Sequence, residues 1–226
     1  YGAVAMTNLG YVGPRPCPVV AYALQVLQAQ AEGNALPPIP QAPDPLHVAK
    51  AADYSGSFRA ADGTVLVLQS SGDRLTLERD GRSVALYPRG NDSFFADSPD
   101  FTQYLLQFGR RSGRVVEAFY GPQWFTSQAY SGPQTFAYPA RWNAYVGHYE
   151  SIDPNGYYGS LRIFVRKGKL VADDGTPLVP ISGSLFRFGS DAWTPERIRF
   201  DDVVEGRAAR ARLPGADYYR ADTQGP

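Results

Sequence analysis

Tyr54-Ser55-Gly56-Ser57-Phe58 and Tyr145-Val146-Gly147-His148-Tyr149 decide the fold, because each opens a run of short strands and the two runs match. Val65-Leu66-Val67-Leu68 follows the first and Leu161-Arg162-Ile163-Phe164-Val165 the second. Next come Gly72-Asp73-Arg74-Leu75-Thr76-Leu77 and Lys167-Gly168-Lys169-Leu170-Val171. Further on, Ser93-Phe94-Phe95 leads to Leu105-Leu106-Gln107-Phe108, and Ser184-Leu185-Phe186-Arg187-Phe188 leads to Arg197-Ile198-Arg199-Phe200. The offset of roughly 90 residues suits a small all-β domain better than a solenoid turn. Leu66/Leu68 and Leu75/Leu77 alternate with polar neighbours, as half-buried strands do. Asp62-Gly63, Asp80-Gly81 and Asp174-Gly175 are hairpin signals, read here as type I′ turns. About eight short strands per copy predict two tandem small antiparallel up-and-down β-barrels, closed so that no edge is left open.

Upstream, Tyr1–Asn8 reads as one buried strand. Pro14, Pro16 and Pro18 then set up a helix start. The run Val19–Glu32 has no breaker, and Val20, Leu24, Leu27 and Ala31 form one apolar stripe at helical spacing. Gly33-Asn34 is a C-terminal stop. Five prolines between Pro37 and Pro45 make a stiff linker. The expected organisation is therefore strand and helix of a truncated α/β domain (1–36), linker (37–50), first barrel (51–132) and second barrel (133–226).

Lys+Arg and Asp+Glu are both 22, so the net formal charge is zero. Nothing in that balance draws the chain to nucleic acid or to an anionic membrane. The single cysteine, Cys17, excludes an internal disulfide framework. No Ser-x-x-Lys, Gly-x-Ser-x-Gly or glycine-rich phosphate cradle is present. His47 and His148 lie far apart, outside any metal-ligand spacing, and read as structural. Asp97/Asp100, Asp173/Asp174 and Asp201/Asp202 lack the spacing of a calcium loop and read as turn formers or strand flanks. No catalytic residue, cofactor or metal is expected within this chain.

Aromatic residues make up 13% of the chain, concentrated at Tyr120, Trp124, Phe125, Tyr130, Tyr138, Trp142 and Tyr145. Core and inter-domain packing accounts for most of them. The insertion Asp153–Gly159 falls where the first copy has the tight Ala61-Asp62-Gly63 turn. Tyr157 and Tyr158 on that loop are the candidate contacts for a ligand or partner, and Tyr120 and Trp124 are candidates to line a pocket or an interface.

The segment Tyr1–Asn8, the proline turn and the helix Val19–Glu32 resemble the last strand and closing helix of serine hydrolases of the penicillin-binding-protein/class C β-lactamase type. The proline linker and the repeats at Tyr54–Gly56 and Tyr145–Gly147 resemble the lipocalin-like β-barrels appended to many such bacterial enzymes. The family's working residues, Ser-x-x-Lys, Tyr-x-Asn and a Lys/His-x-Gly strand, have no counterpart here, so none is carried onto this chain. The resemblance implies a non-catalytic accessory region whose partner is an upstream catalytic domain, acting on esters, β-lactams or D-amino-acid peptides. Shaping of substrate access and oligomer contacts are the roles implied for the barrels. A small-ligand module and a pure assembly module are the alternatives, and a narrow barrel filled by Leu66, Leu68, Leu75, Leu77, Phe94 and Phe108 leaves no room for a ligand.

Overall fold

The computed structural model describes residues 2–5, 17–41, 44–79, 81–90, 92–152 and 158–221. These fall into two units, residues 1–44 and 45–226.

In the first unit, helix α1 spans Cys17–Glu32. It ends as its sequence dictates. Gly33 adopts φ 69°, and the amides of Asn34 and Gly33 donate to the carbonyls of Ala29 and Gln30, closing a Schellman motif. The linker folds back along the helix, where the Tyr22 hydroxyl donates to the Pro37 carbonyl. α1 buries none of its residues, and Leu24 and Leu27 on the expected stripe are exposed. The strand expected over Tyr1–Asn8 is not formed at Gly2–Ala5, the part of it that is described: these residues have no ladder partner and Val4 is 89% exposed. A strand needs a neighbour to satisfy its backbone, and none is offered among the described residues.

The second unit is two closed barrels of eight antiparallel strands, each in simple sequential order. The first comprises β1 (Gly56–Ala60), β2 (Val65–Ser71), β3 (Arg74–Arg79), β4 (Arg82–Gly90), β5 (Ser93–Ala96), β6 (Leu106–Arg111), β7 (Arg114–Tyr120) and β8 (Gln123–Thr126). The second comprises β9 (Gly147–Ile152), β10 (Tyr158–Arg166), β11 (Lys169–Ala172), β12 (Pro177–Ser182), β13 (Leu185–Phe188), β14 (Arg197–Val204), β15 (Arg207–Leu213) and β16 (Ala216–Arg220). The duplication extends to irregularities. Pro88 of β4 and Pro180 of β12 each precede a register shift against the next strand. Proline has no N–H for a ladder and is tolerated at such a site.

The Tyr-x-Gly signature has a packing reason. A one-turn 3₁₀ helix precedes each first strand, at Ala51–Tyr54 and Ala140–Ala144. It drops a tyrosine into the barrel end. Tyr54 packs edge-on against Phe94 and Phe108, with ring centroids 5.0 and 5.1 Å away. Tyr145 meets the equivalent Phe186 at 5.6 Å and stacks on Phe200 at 4.6 Å. An arginine then ties each plug down. Arg110 binds Asp92 and Asp53 beneath the Tyr54 ring, and the Tyr54 hydroxyl donates to Asp92. Arg220 donates to the carbonyls of Ala144, Val146 and Ala208 and to the Tyr149 hydroxyl. Leu66, Leu68, Leu75, Leu77, Phe94 and Phe108 are all buried inside the first barrel, so its interior is filled. Each such side chain contributes roughly 1.5–3 kcal/mol by leaving water.

The turns correct one expectation. Asp62 and Asp174 do not adopt positive φ; only Gly63 and Gly175 do. The Gly63 and Gly175 amides donate to the carbonyls of Ala60 and Ala172, and each Asp side chain accepts from the amide of Thr64 or Thr176. These are type I turns followed by a left-handed glycine, stabilised by the Asp side chain two residues back. The type I′ signature, both central φ positive, occurs instead at Ser112-Gly113, Lys167-Gly168 and Glu205-Gly206. Gly81 has φ 73°, whereas Asp80 lies outside the described residues.

Candidate functional site

The aromatic-rich stretch forms the joint between the barrels. Glu117 of β7 is only 8% exposed, and its Oε1 accepts from Trp124 Nε1 at 2.8 Å and from Lys167 Nζ at 2.5 Å. Lys167 belongs to the other barrel. It occupies the β10–β11 turn with φ 51°, which aims its side chain across the joint. Trp124, Tyr130 and Phe136 surround its ammonium at 5.3, 5.6 and 5.5 Å from the ring centroids. Gly168 lies beneath the segment that carries Phe136, where a Cβ would stand 2.9 Å from the Ala137 carbonyl oxygen. Beside this cage, Arg166 lies over Phe119, 4.6 Å from the centroid, and donates to Gln107, whose amide donates to the Asp174 carbonyl. Burial lowers the Arg166 pKa to about 10.

Trp124 is therefore engaged in this joint, and Tyr120 borders it through Tyr104. Tyr120 packs on Phe101 and Tyr104, and Tyr104 meets Phe164 of the second barrel at 5.9 Å. Tyr157 lies outside the described residues, and Tyr158 opens β10 with its side chain outside them.

A second cluster lies on the outer face of β9 and β10. His148 Nε2 is 2.9 Å from Ser160 Oγ, and Arg162 Nη1 is 3.4 Å from the same oxygen. Burial and the nearby Arg162 lower the His148 pKa, while burial raises that of Asp173. This is not a catalytic relay. Glu150 Oε1 lies 3.5 Å from the same Nε2 that meets the serine, whereas an orienting carboxylate must hold the other ring nitrogen. His47 pairs with Asp73 at 2.7 Å on the surface. Asp201 and Asp202 lie within β14, not at its flank, and pair with Arg212 and Arg210. Among the described residues no group of three or more side chains is placed to hold a metal ion.

A groove of about 850 Å³ runs along the seam of the first barrel. Ser55, Ser57, Arg59, Arg114, Thr126, Ser127 and Gln128 give it polar walls, with Phe58, Val65 and Val115 among the apolar lining. It exists because β8 is four residues long. β8 pairs with β1 only at Arg59↔Thr126 and Ala60↔Phe125, and with β7 only from Glu117 onward. Sequence reasoning missed this site; its one legible signal was the early arrival of Ser127-Gln128, which ends the last strand.

No family model matches the chain, and neither a curated protein nor a solved structure was found similar to it.

Proposed function

We propose that this chain is a non-catalytic accessory region of a serine hydrolase of the penicillin-binding-protein/class C β-lactamase type. In this reading α1 packs on the sheet of the catalytic domain, and the two barrels act as one rigid body that shapes substrate access. The observation that carries it is the uncovered stripe of α1, with Leu24, Leu27 and Ala31 exposed on a helix that buries nothing. An amphipathic helix derives most of its stability from packing that stripe. The Lys167 cage supports the rigid-body part, because it fixes one barrel against the other through a largely buried ion pair. The filled interiors weigh against a barrel-bound apolar ligand, which would have to displace core side chains.

The test is to recover the chain from extracts of its source, tagged, as wild type and as Leu24→Glu/Leu27→Glu. Recovered polypeptides are labelled with fluorescent penicillin or a fluorophosphonate and mapped for Ser-x-x-Lys. An acylable hydrolase is expected with the wild type, covalently continuous or associated, with the associated form lost in the helix variant. The barrels' unfolding should change by no more than about 0.5 kcal/mol, since both leucines are exposed. No acylable polypeptide, or equal recovery by the helix variant of an associated one, overturns the reading.

A further inference from the structure

We infer that the seam groove of the first barrel binds an extended peptide bearing a carboxylate, taken up as an added strand between β1 and β7. Three observations carry this, none of which depends on the hydrolase reading.

The first is a difference between the duplicated barrels. In the second barrel, β16 pairs with β9 at Tyr219↔Glu150 and Arg220↔Tyr149, and the Ala221 amide donates to the His148 carbonyl. Closure there runs nearly to the start of β9. In the first barrel Arg59 pairs with β8 as Glu150 does with β16, but Ser57 and Phe58, the counterparts of His148 and Tyr149, pair with β2 alone. Across the seam, Arg114 and Val115 of β7 pair with β6 but not with β8, whose last contact is the Ser127 amide donating to the Val116 carbonyl. Two strand edges thus border one groove. Unpaired N–H and C=O groups along an edge are satisfied by another backbone in register, which is how sheet edges take up extended peptides. Backbone groups alternate sides along a strand, so of these residues Ser57 is the one whose N–H and C=O face the groove, and it offers a short extended segment a single pair of backbone bonds on this side.

The second is an orphaned hydroxyl. Ser127 Oγ is buried in the groove wall with no hydrogen-bond partner. A buried polar atom left unpaired is costly, and a ligand backbone or carboxylate would supply what it lacks once the Ser127 side chain turns toward the groove.

The third is charge. Arg59 and Arg114 both line the groove, while its carboxylate, Asp53, is already paired with Arg110. The remaining charge is cationic. It selects a peptide with an acidic side chain or a free C-terminus.

The experiment is hydrogen exchange by mass spectrometry on the full chain, with a randomised pool of acetylated pentapeptides ending in a free carboxylate. The comparison pools are the same peptides N-methylated at alternate positions, the same peptides amidated at the C-terminus, and a mixture of neutral oligosaccharides. Peptides retained by the chain are sequenced and titrated. Slowed exchange within 55–58 and 113–116 is expected with the free-acid pool and not with the N-methylated one. Amidation should weaken binding of peptides without an acidic side chain. Arg114→Glu, an exposed position, should weaken binding at least tenfold, and Ser57→Trp, which fills the groove, should abolish it while both variants remain folded. Equal binding of the N-methylated pool, protection elsewhere, response to oligosaccharides alone, or no protection with any pool overturns the proposal.

Discussion

Replacing Lys167 with Met tests whether the two barrels are one mechanical unit. The substitution keeps most of the stem and removes the ammonium from among Trp124, Tyr130 and Phe136. Glu117 would then keep Trp124 Nε1 as its remaining side-chain donor, with its own side chain 11% exposed. Stranding a fully buried carboxylate costs about 3–5 kcal/mol, whereas exposed pairs contribute about 0–1. Lys167 is itself 26% exposed, so water recovers part of the loss. About 2 kcal/mol is the reasonable share for the ion pair. Cation–π attraction to the rings adds about 1 kcal/mol. A loss of about 3 kcal/mol shifts the urea midpoint by roughly 1–1.5 M for a chain of this size. Urea unfolding followed by far-UV circular dichroism and tryptophan emission reads it, since Trp124 lines the cage. The wild type should unfold in one transition and Lys167→Met in two, as the barrels uncouple. Removing both charges in Glu117→Gln/Lys167→Met should recover at least about 1 kcal/mol, because the amide oxygen still accepts from Trp124 without a stranded charge. A single-variant loss below about 0.5 kcal/mol, or strictly additive effects in the pair, refutes the reasoning.

Arg220→Met should destabilise the second barrel by about 3 kcal/mol in thermal or urea unfolding, because three backbone carbonyls and the Tyr149 hydroxyl lose a charged donor together. Gly147→Ala should act in the same direction, since a Cβ there would stand 2.0 Å from Arg220 Nη1; a neutral result would mean the arginine is free to move away. His148 has a folded pKa lowered below its ordinary 6.5, so the unfolded chain takes up the proton first. Its contribution is present above 6.5 and lost as pH falls through the window just below it, and His148→Gln should flatten that part of the stability–pH curve. An unchanged slope would exclude His148 as its source.

Much of the barrel architecture was legible because strands and hairpins are local. Alternation at Leu66/Leu68 and Leu75/Leu77 sets which face is buried, and the repeated Tyr-x-Gly marks a plug followed by a first strand. The exact turn types were less legible. Asp-Gly suits several turns, and the Asp side chain's bond to the amide of the second residue on decides among them. The α1 stripe was readable as a pattern, yet a periodic apolar face says only that something should cover it.

By itself the sequence determined two copies of one up-and-down barrel, the helix and its glycine stop, because these follow from periodicity and backbone chemistry within a few residues. Only the tertiary structure decided the Lys167 cage and the seam groove. Glu117 and Lys167 are 50 residues apart, on separate barrels, and meet only because a left-handed turn residue is carried rigidly to a pocket built by another sheet. The groove depends on how far β8 reaches along β1 and β7, a matter of strand register around a closed barrel that no local pattern encodes.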